Sequence, residues 1–158
     1  MYLLDTNHCS FIIHQEAEVI HKLNSLPQKS KIYINSIIYG ELILMAEKSE
    51  RKCENLQIIE SIVKTFSGIL SIDEETSKIY GQFHAEIINH FAPKEKNKRR
   101  KYKVQEAGIY PNDLWIASTA IQHDLVIVSQ DKDFQQMNKV RLLKLECWIP
   151  TVSSDEKV

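Results

Sequence analysis

Four acids stand where acids are costly. Glu41 is the only charge between Ile37 and Ala46 (IIYGELILMA), and Asp113 is the only charge between Gly108 and Gln122 (GIYPNDLWIASTAIQ). Asp5 ends the apolar run Tyr2-Leu3-Leu4, and Asp131 lies just beyond Leu125 to Val128 (LVIV). A carboxylate in an apolar window is expensive unless it is hydrogen bonded, paired or coordinated to a metal. Apart from Lys132, no lysine or arginine adjoins any of the four. Brought together they would repel one another, and a divalent cation would relieve that repulsion. Oxygen-only ligation, with no cysteine or histidine spacing, favours a hard ion, Mg²⁺ or Mn²⁺, over zinc. Such an ion lowers the pKa of a bound water, making hydroxide available to attack phosphorus, and stabilises the leaving oxygen.

Each acid also has an ordinary explanation. Asp113 in the first turn of a helix satisfies free amides and the macrodipole. Asp131 caps a short helix through Gln135, and Glu41 snorkels to the surface. What these separate explanations leave out is why all four fall at strand ends or at the starts of the following helices.

The elements that must position them alternate. Tyr2–Leu4, Lys31–Ile34 (KIYI), Leu125–Val128 and the shorter Ile69–Ile72 read as strands, continuous in apolar character and therefore buried on both faces. Between them, Ala17–Leu26 carries Val19, Ile20, Leu23 and Leu26 at helical spacing. Ser36 is expected to cap a helix to about Lys48, Asp73 one to about His90, and Asn112 one that includes Leu114, Ile116, Ala117, Ala120 and Ile121. The expected fold is α/β with three layers, a mainly parallel central sheet of roughly 4–5 strands flanked by helices on both faces. Asp5 and Asp131 then share the carboxyl edge, where open α/β sheets bind ligands.

The 158 residues, 43% of them hydrophobic, suit one globular domain over 1–150, followed by a frayed tail at 151–158 (TVSSDEKV). The start, MYLLDTNHCS, lacks the basic and long apolar regions of a secretory signal, and no segment has the apolar length of a membrane span. Cys9, Cys53 and Cys147 form no CxxC pair and suit reduced thiols in a cytosol. We therefore expect a cytoplasmic protein that does not enter a membrane. The net charge of −1 carries no global signal for nucleic acid, but KEKNKRRKYK at 94–103 holds seven basic residues against Glu95. Among them Lys98, Arg99, Arg100, Lys101 and Lys103 are candidate phosphate contacts, although short charge runs are often only solvated loop. The stretch 92–109 is expected to be a surface loop or an extension of the preceding helix.

Four segments, LLDTN at 3–7, SIIYGEL at 36–42, NDLWIASTA at 112–120 and VSQDKDF at 128–134, resemble in order and spacing the four motifs of PIN-domain ribonucleases. The nearest likeness is to the VapC toxins of bacterial toxin–antitoxin pairs. The resemblance covers 1 to about 150. It implies that Asp5, Glu41 and Asp113 are the principal acids of an Mg²⁺ or Mn²⁺ site. Asp131, 18 residues after Asp113, would be the fourth. Thr6, Asn7, Asn112 and Ser129 would be polar support around them. Many relatives carry asparagine at the fourth position and an acid slightly later, so Asp133 competes with Asp131. The basic stretch also exceeds that of compact members, and it is open to RNA or to an antitoxin. The resemblance further implies hydrolysis of RNA to a 5′-phosphate and a 3′-hydroxyl, a homodimer, and silencing by a VapB-like antitoxin.

Two rival enzyme classes fit less well. A haloacid-dehalogenase-like phosphatase needs a second acid two residues after the first, where Asn7 stands, and Gly40, Gly68, Gly81 and Gly108 never form the GxGxxG of a nucleotide-binding sheet. A catalytically silent RNA- or protein-binding module would gain nothing from a negative pocket. The six histidines form no HxH or HExxH and are expected in surface or core packing, although His8 and His14 are near enough to the first motif to touch substrate. Trp115, Tyr80 and Phe83 fall at helical spacing and are expected in the core or a dimer interface rather than as base-stacking platforms.

Overall fold

The structure, a computed structural model, describes residues 1–149. The expected tail at 151–158 lies outside the described residues. In chain order the elements are β1 (Tyr2–Leu4), α1 (Thr6–Ile13), α2 (Ala17–Ser25), β2 (Ile32–Asn35), α3 (Ser36–Glu47), α4 (Lys52–Val63) and β3 (Gly68–Leu70). They continue with α5 (Glu74–Phe91), the single turn α6 (Lys96–Arg99), a 3-10 turn (Val104–Ala107), α7 (Pro111–His123), β4 (Val126–Val128), α8 (Lys132–Asn138) and β5 (Leu145–Glu146).

Every strand pairing is parallel, and the sheet order is β3-β2-β1-β4-β5. The continuous apolar runs have the expected outcome. Leu3, Leu4, Ile34, Ile127 and Val128 are buried because the sheet is covered on both faces. The order runs outward from β1 through β2 to β3, then returns to β4 on the other side of β1. Right-handed crossovers therefore carry α1 to α4 to one face and α5 and α7 to the other. The reversal opens a crevice between the carboxyl ends of β1 and β4. Asp5 follows one of those ends and Ser129 the other.

Helix starts differ from expectation in an informative way. Asn35, not Ser36, caps α3: its Oδ1 accepts the Ile38 amide at 3.0 Å, while its Nδ2 donates to Thr119 Oγ1 at 2.9 Å. One buried asparagine thereby ties the end of β2 to α7 with its polar atoms satisfied. Asn112 does not cap α7 either. Tyr110 occupies the cap and Pro111 the first turn, where the missing proline N–H costs nothing. Asp73 caps α5 as expected, with Thr76 completing a reciprocal capping box.

The stretch 92–109 is no extension of α5. Ala92 turns extended at the end of that helix, and α6 and the 3-10 turn follow as separate short pieces. Val104 and Ile109 are buried, so the stretch is pinned at its carboxyl end while its basic residues other than the half-buried Arg99 face water. Gly108 makes this possible: at φ 71° it adopts the left-handed conformation that ends the 3-10 turn. Tyr80 stacks on Trp115 with ring centroids 3.8 Å apart, and Phe83 is fully buried, which assigns these aromatics to the packing of α5 on α7.

Candidate active site

The sheet itself sets Asp5. Its amide donates to the Val128 carbonyl at the end of β4, 3.1 Å away, and its side chain caps α1. Oδ1 accepts the His8 amide at 2.6 Å and His8 Nδ1 at 2.9 Å, and Oδ2 accepts the Ser129 hydroxyl. His8 is completely buried and accepts the Trp148 amide at Nε2. That acceptor leaves the ring proton on Nδ1, aimed at Asp5. His8 is thus a positioning group held away from solvent. It does not line the groove, and His14 lines a separate hollow between α1, α3 and α4.

Glu41, one turn into α3, does not snorkel away. Thr6 Oγ1 donates to its Oε2 and Asn112 Nδ2 to its Oε1, so the start of α1 and the start of α7 grip one carboxylate. Because Pro111 opens α7 and Tyr110 occupies its cap, the Asn112 side chain is free for this contact.

The other half of the site is short of donors. Asp113, Asp131 and Asp133 each present a carboxylate oxygen within 4.8 Å of the others. Asp131 caps α8 by accepting the Asp133 amide at 3.1 Å, and its own amide donates to Ser129 Oγ at 2.9 Å. Asp133 is nearly buried and accepts the Tyr110 amide at Oδ2, 2.7 Å away. Burial and then the charges of Asp133 and Asp131 push the Asp113 carboxyl up to about 8. Burial likewise pushes Asp133 up, against the pull of the Tyr110 amide. No lysine or arginine forms an ion pair with this trio among the described residues.

Asp5, Thr6, Asn7, Glu41, Asp113 and Asp131 line one open groove of about 340 Å³, with Leu44 and Met45 on its rim. All the donor atoms are oxygens, and the crowded carboxylates lack a counter-charge. This set suits a hard divalent cation better than zinc. Ser129 and Asn112 stand behind the groove as hydrogen-bond donors, and Asp133 adjoins it through Asp113 and Asp131. The basic residues Lys98, Arg99, Arg100, Lys101 and Lys103 do not line it; Lys98 pairs with Glu95 and Arg99 bonds Asn89. Sequence reasoning weighed His8 only as a substrate contact, missing its positioning role, and missed Tyr110 altogether. An acid followed by histidine three positions later, in one first turn, was the available signal for His8. Tyr110 had only the signal of an aromatic before a helix-opening proline.

The parallel sheet carries an acid-lined crevice at its switch point, and the PIN-domain family matches residues 2–140. The chain belongs to that family. It is 29% identical over 147 residues to the tRNA(fMet)-specific endonuclease VapC of Shigella flexneri, covering 93% of this chain and 97% of the relative. It is 28% identical over 149 residues to ribonuclease VapC2 of Haemophilus influenzae, covering 94% and 98%. Among solved structures it resembles VapBC2 from Rickettsia felis bound to a promoter DNA fragment, with TM-score 0.73, 25% identity and coverage of 94% and 98%. DNA-bound VapBC from Salmonella typhimurium matches with TM-score 0.73, 26% identity and the same coverage. These likenesses set aside the phosphatase reading, and Asn7 at the position of its second acid agrees.

Proposed function

We propose that the chain is a Mg²⁺- or Mn²⁺-dependent endoribonuclease, the toxin of a VapBC-type toxin–antitoxin pair, acting in the cytoplasm as a homodimer and silenced by a VapB-like antitoxin. The observation that carries this reading is the convergence of Asp5, Glu41, Asp113 and Asp131 on one groove at the carboxyl edge of the sheet. Relatives named VapC that align along nearly their whole length support it, as do neighbours solved as VapBC assemblies. No helix among the described residues is long and apolar enough to cross a membrane.

In this reading Asp5, Asp113, Glu41 and Asp131 hold the cation, with Asp133 beside them. The cation supplies charge neutralisation for the groove and an activated water for hydrolysis. The chain's own residues fix the geometry. His8 and Ser129 lock both oxygens of Asp5, and Thr6 and Asn112 lock both oxygens of Glu41. Asn7 lines the groove where a phosphate oxygen or ribose hydroxyl would pass. In the reaction a water oxygen bonds to phosphorus and the P–O3′ bond breaks. The departing oxygen takes a proton to become a 3′-hydroxyl, and the phosphate stays on the 5′ side of the next nucleotide.

The test is to incubate purified protein with total RNA in Mg²⁺ or Mn²⁺, with and without chelator, beside Asp5→Asn. Cleavage by the wild type that is lost with chelator and in the variant is the expected result. Equal cutting by wild type and variant, or indifference to chelator, overturns the reading.

A further inference from the structure

The groove is negative, and its proposed substrate is a polyanion, so something outside the groove has to attract the strand. Seven of the chain's 20 lysines and arginines fall in the ten residues 94–103, with one of its 21 acids. Lys94, Lys96, Arg100, Lys101 and Lys103 are exposed, and none of their side-chain charges is paired with a carboxylate among the described residues. From Lys103 the chain passes through a 3-10 turn, three further residues and the first turn of α7 to Asp113. The rises of those pieces limit the separation to about 25 Å.

Tyr110 stands at the inner end of this segment, 63% exposed. Exposure of a tyrosine is unremarkable alone, but the backbone that carries this one is fixed. Pro111 restricts its backbone to the extended form it adopts, ψ 147°. Its amide is bonded to Asp133 Oδ2 at 2.7 Å, within the acidic trio. An exposed aromatic ring carried on a backbone fixed next to the acidic trio, and apolar on its faces, has the properties of a base-stacking platform. Stacking of that kind takes bases that are already splayed out of a duplex.

We propose that the segment from Lys94 to Tyr110 is the track by which an unpaired RNA strand reaches the groove, its cations holding phosphates and Tyr110 stacking on a base next to the cleaved bond. This rests on the ribonuclease reading above. The strand is held by charge along the exposed arm and by one stack at the groove, so recognition favours loops and single-stranded ends over helices.

The test uses fluorescence anisotropy in chelator, where nothing is cut, with a short labelled single-stranded RNA and the same RNA annealed to its complement. Proteins compared are wild type, Tyr110→Leu, Tyr110→Phe, and a combined Gln replacement of Lys94, Lys96, Arg100, Lys101 and Lys103. The wild type is expected to prefer the single strand. Tyr110→Leu is expected to lose roughly tenfold in affinity, the scale of one base–aromatic stack, and Tyr110→Phe to retain it. In the combined variant the log–log salt slope is expected to become shallower by about 0.7 for each phosphate that the arm no longer neutralises. Cleavage of total RNA by the wild type in Mn²⁺, run alongside, separates the two ideas. If the wild type cuts RNA while both the leucine and glutamine variants bind it as wild type does, the track is overturned and the ribonuclease reading stands. Unchanged RNA binding with an altered elution volume of the combined variant makes the arm a protein-binding surface, which also overturns the track. An equal preference for duplex overturns the stacking role.

Discussion

Asp73 and Asp113 stand at the starts of two helices, α5 and α7, that pack against each other, yet the fold treats them oppositely. Asp73 receives the Thr76 amide, then the Gln122 and Thr76 side chains, and its carboxyl is drawn down to about 2. Asp113 is buried against Asp133, Asp131 and Glu41, and its carboxyl is pushed up to about 8. One acid is given donors by its own helix and by Gln122 of α7; the other is given more acids. An acid that serves the fold is satisfied within the chain, whereas an acid kept unsatisfied at a cost to the fold points to something from outside that completes it.

The largest effect that tests this contrast is on activity. Asp113→Asn is expected to lower RNA cleavage by more than roughly a hundredfold, beyond the loss typical of a supporting residue, while raising the Tm measured in chelator. Asp73→Ala is expected to do the reverse, lowering Tm and leaving cleavage unchanged. Matching effects of the two substitutions would erase the distinction.

Next in size is the pH dependence in chelator. Asp113 and Asp133 have raised carboxyl pKa values in the folded chain, so their contribution to stability is complete below about 4 and is lost as pH rises, for Asp113 through about 8. Asp73 has the opposite sign: its contribution is present above about 4 and is lost as pH falls through about 2. Tm in chelator should therefore fall from pH 5 to pH 8, and Asp113→Asn should flatten that fall. A Tm that rises over this interval in the wild type contradicts the assignment.

A finer comparison lies inside the acidic trio. Asp131 and Asp133 each spend one oxygen on a backbone amide, but Asp131 lines the groove whereas Asp133 is buried behind it. Asp131→Asn is thus expected to reduce cleavage more than Asp133→Asn, and a larger loss from Asp133→Asn moves the fourth ligand to that residue. Smallest is the grip on Glu41. Thr6→Val or Asn112→Ala each removes one of its two donors and is expected to cost about tenfold in cleavage rate. A kcat unchanged in either variant would make that donor purely structural.

Much of this was legible in the residues. Continuous apolar runs marked four of the strands, and the four acids at strand ends or in the opening turns of helices marked the groove. Other parts were hidden for physical reasons. Helix α1 has little apolar periodicity and begins on the Asp5 cap, which looks like a strand end in sequence. Strand β5 is two residues long, too short to show alternation. Asn112 has the composition of a cap, but Pro111 takes the first turn and frees it for Glu41. The cation-rich stretch announced itself by charge alone, while its placement outside the groove depends on Val104 and Ile109 being buried. Asp73 and Asp113 read alike in sequence because donors and neighbouring acids come from residues distant along the chain, Gln122 in one case and Glu41 and Asp133 in the other.

The central claim is that the donor-poor half of the groove is completed by a divalent cation. Thermal denaturation at pH 8 across a Mn²⁺ titration tests it most directly, comparing wild type with Asp113→Asn. A saturable rise in Tm for the wild type that is absent from Asp113→Asn is the predicted result, and an equal rise in both proteins would contradict it.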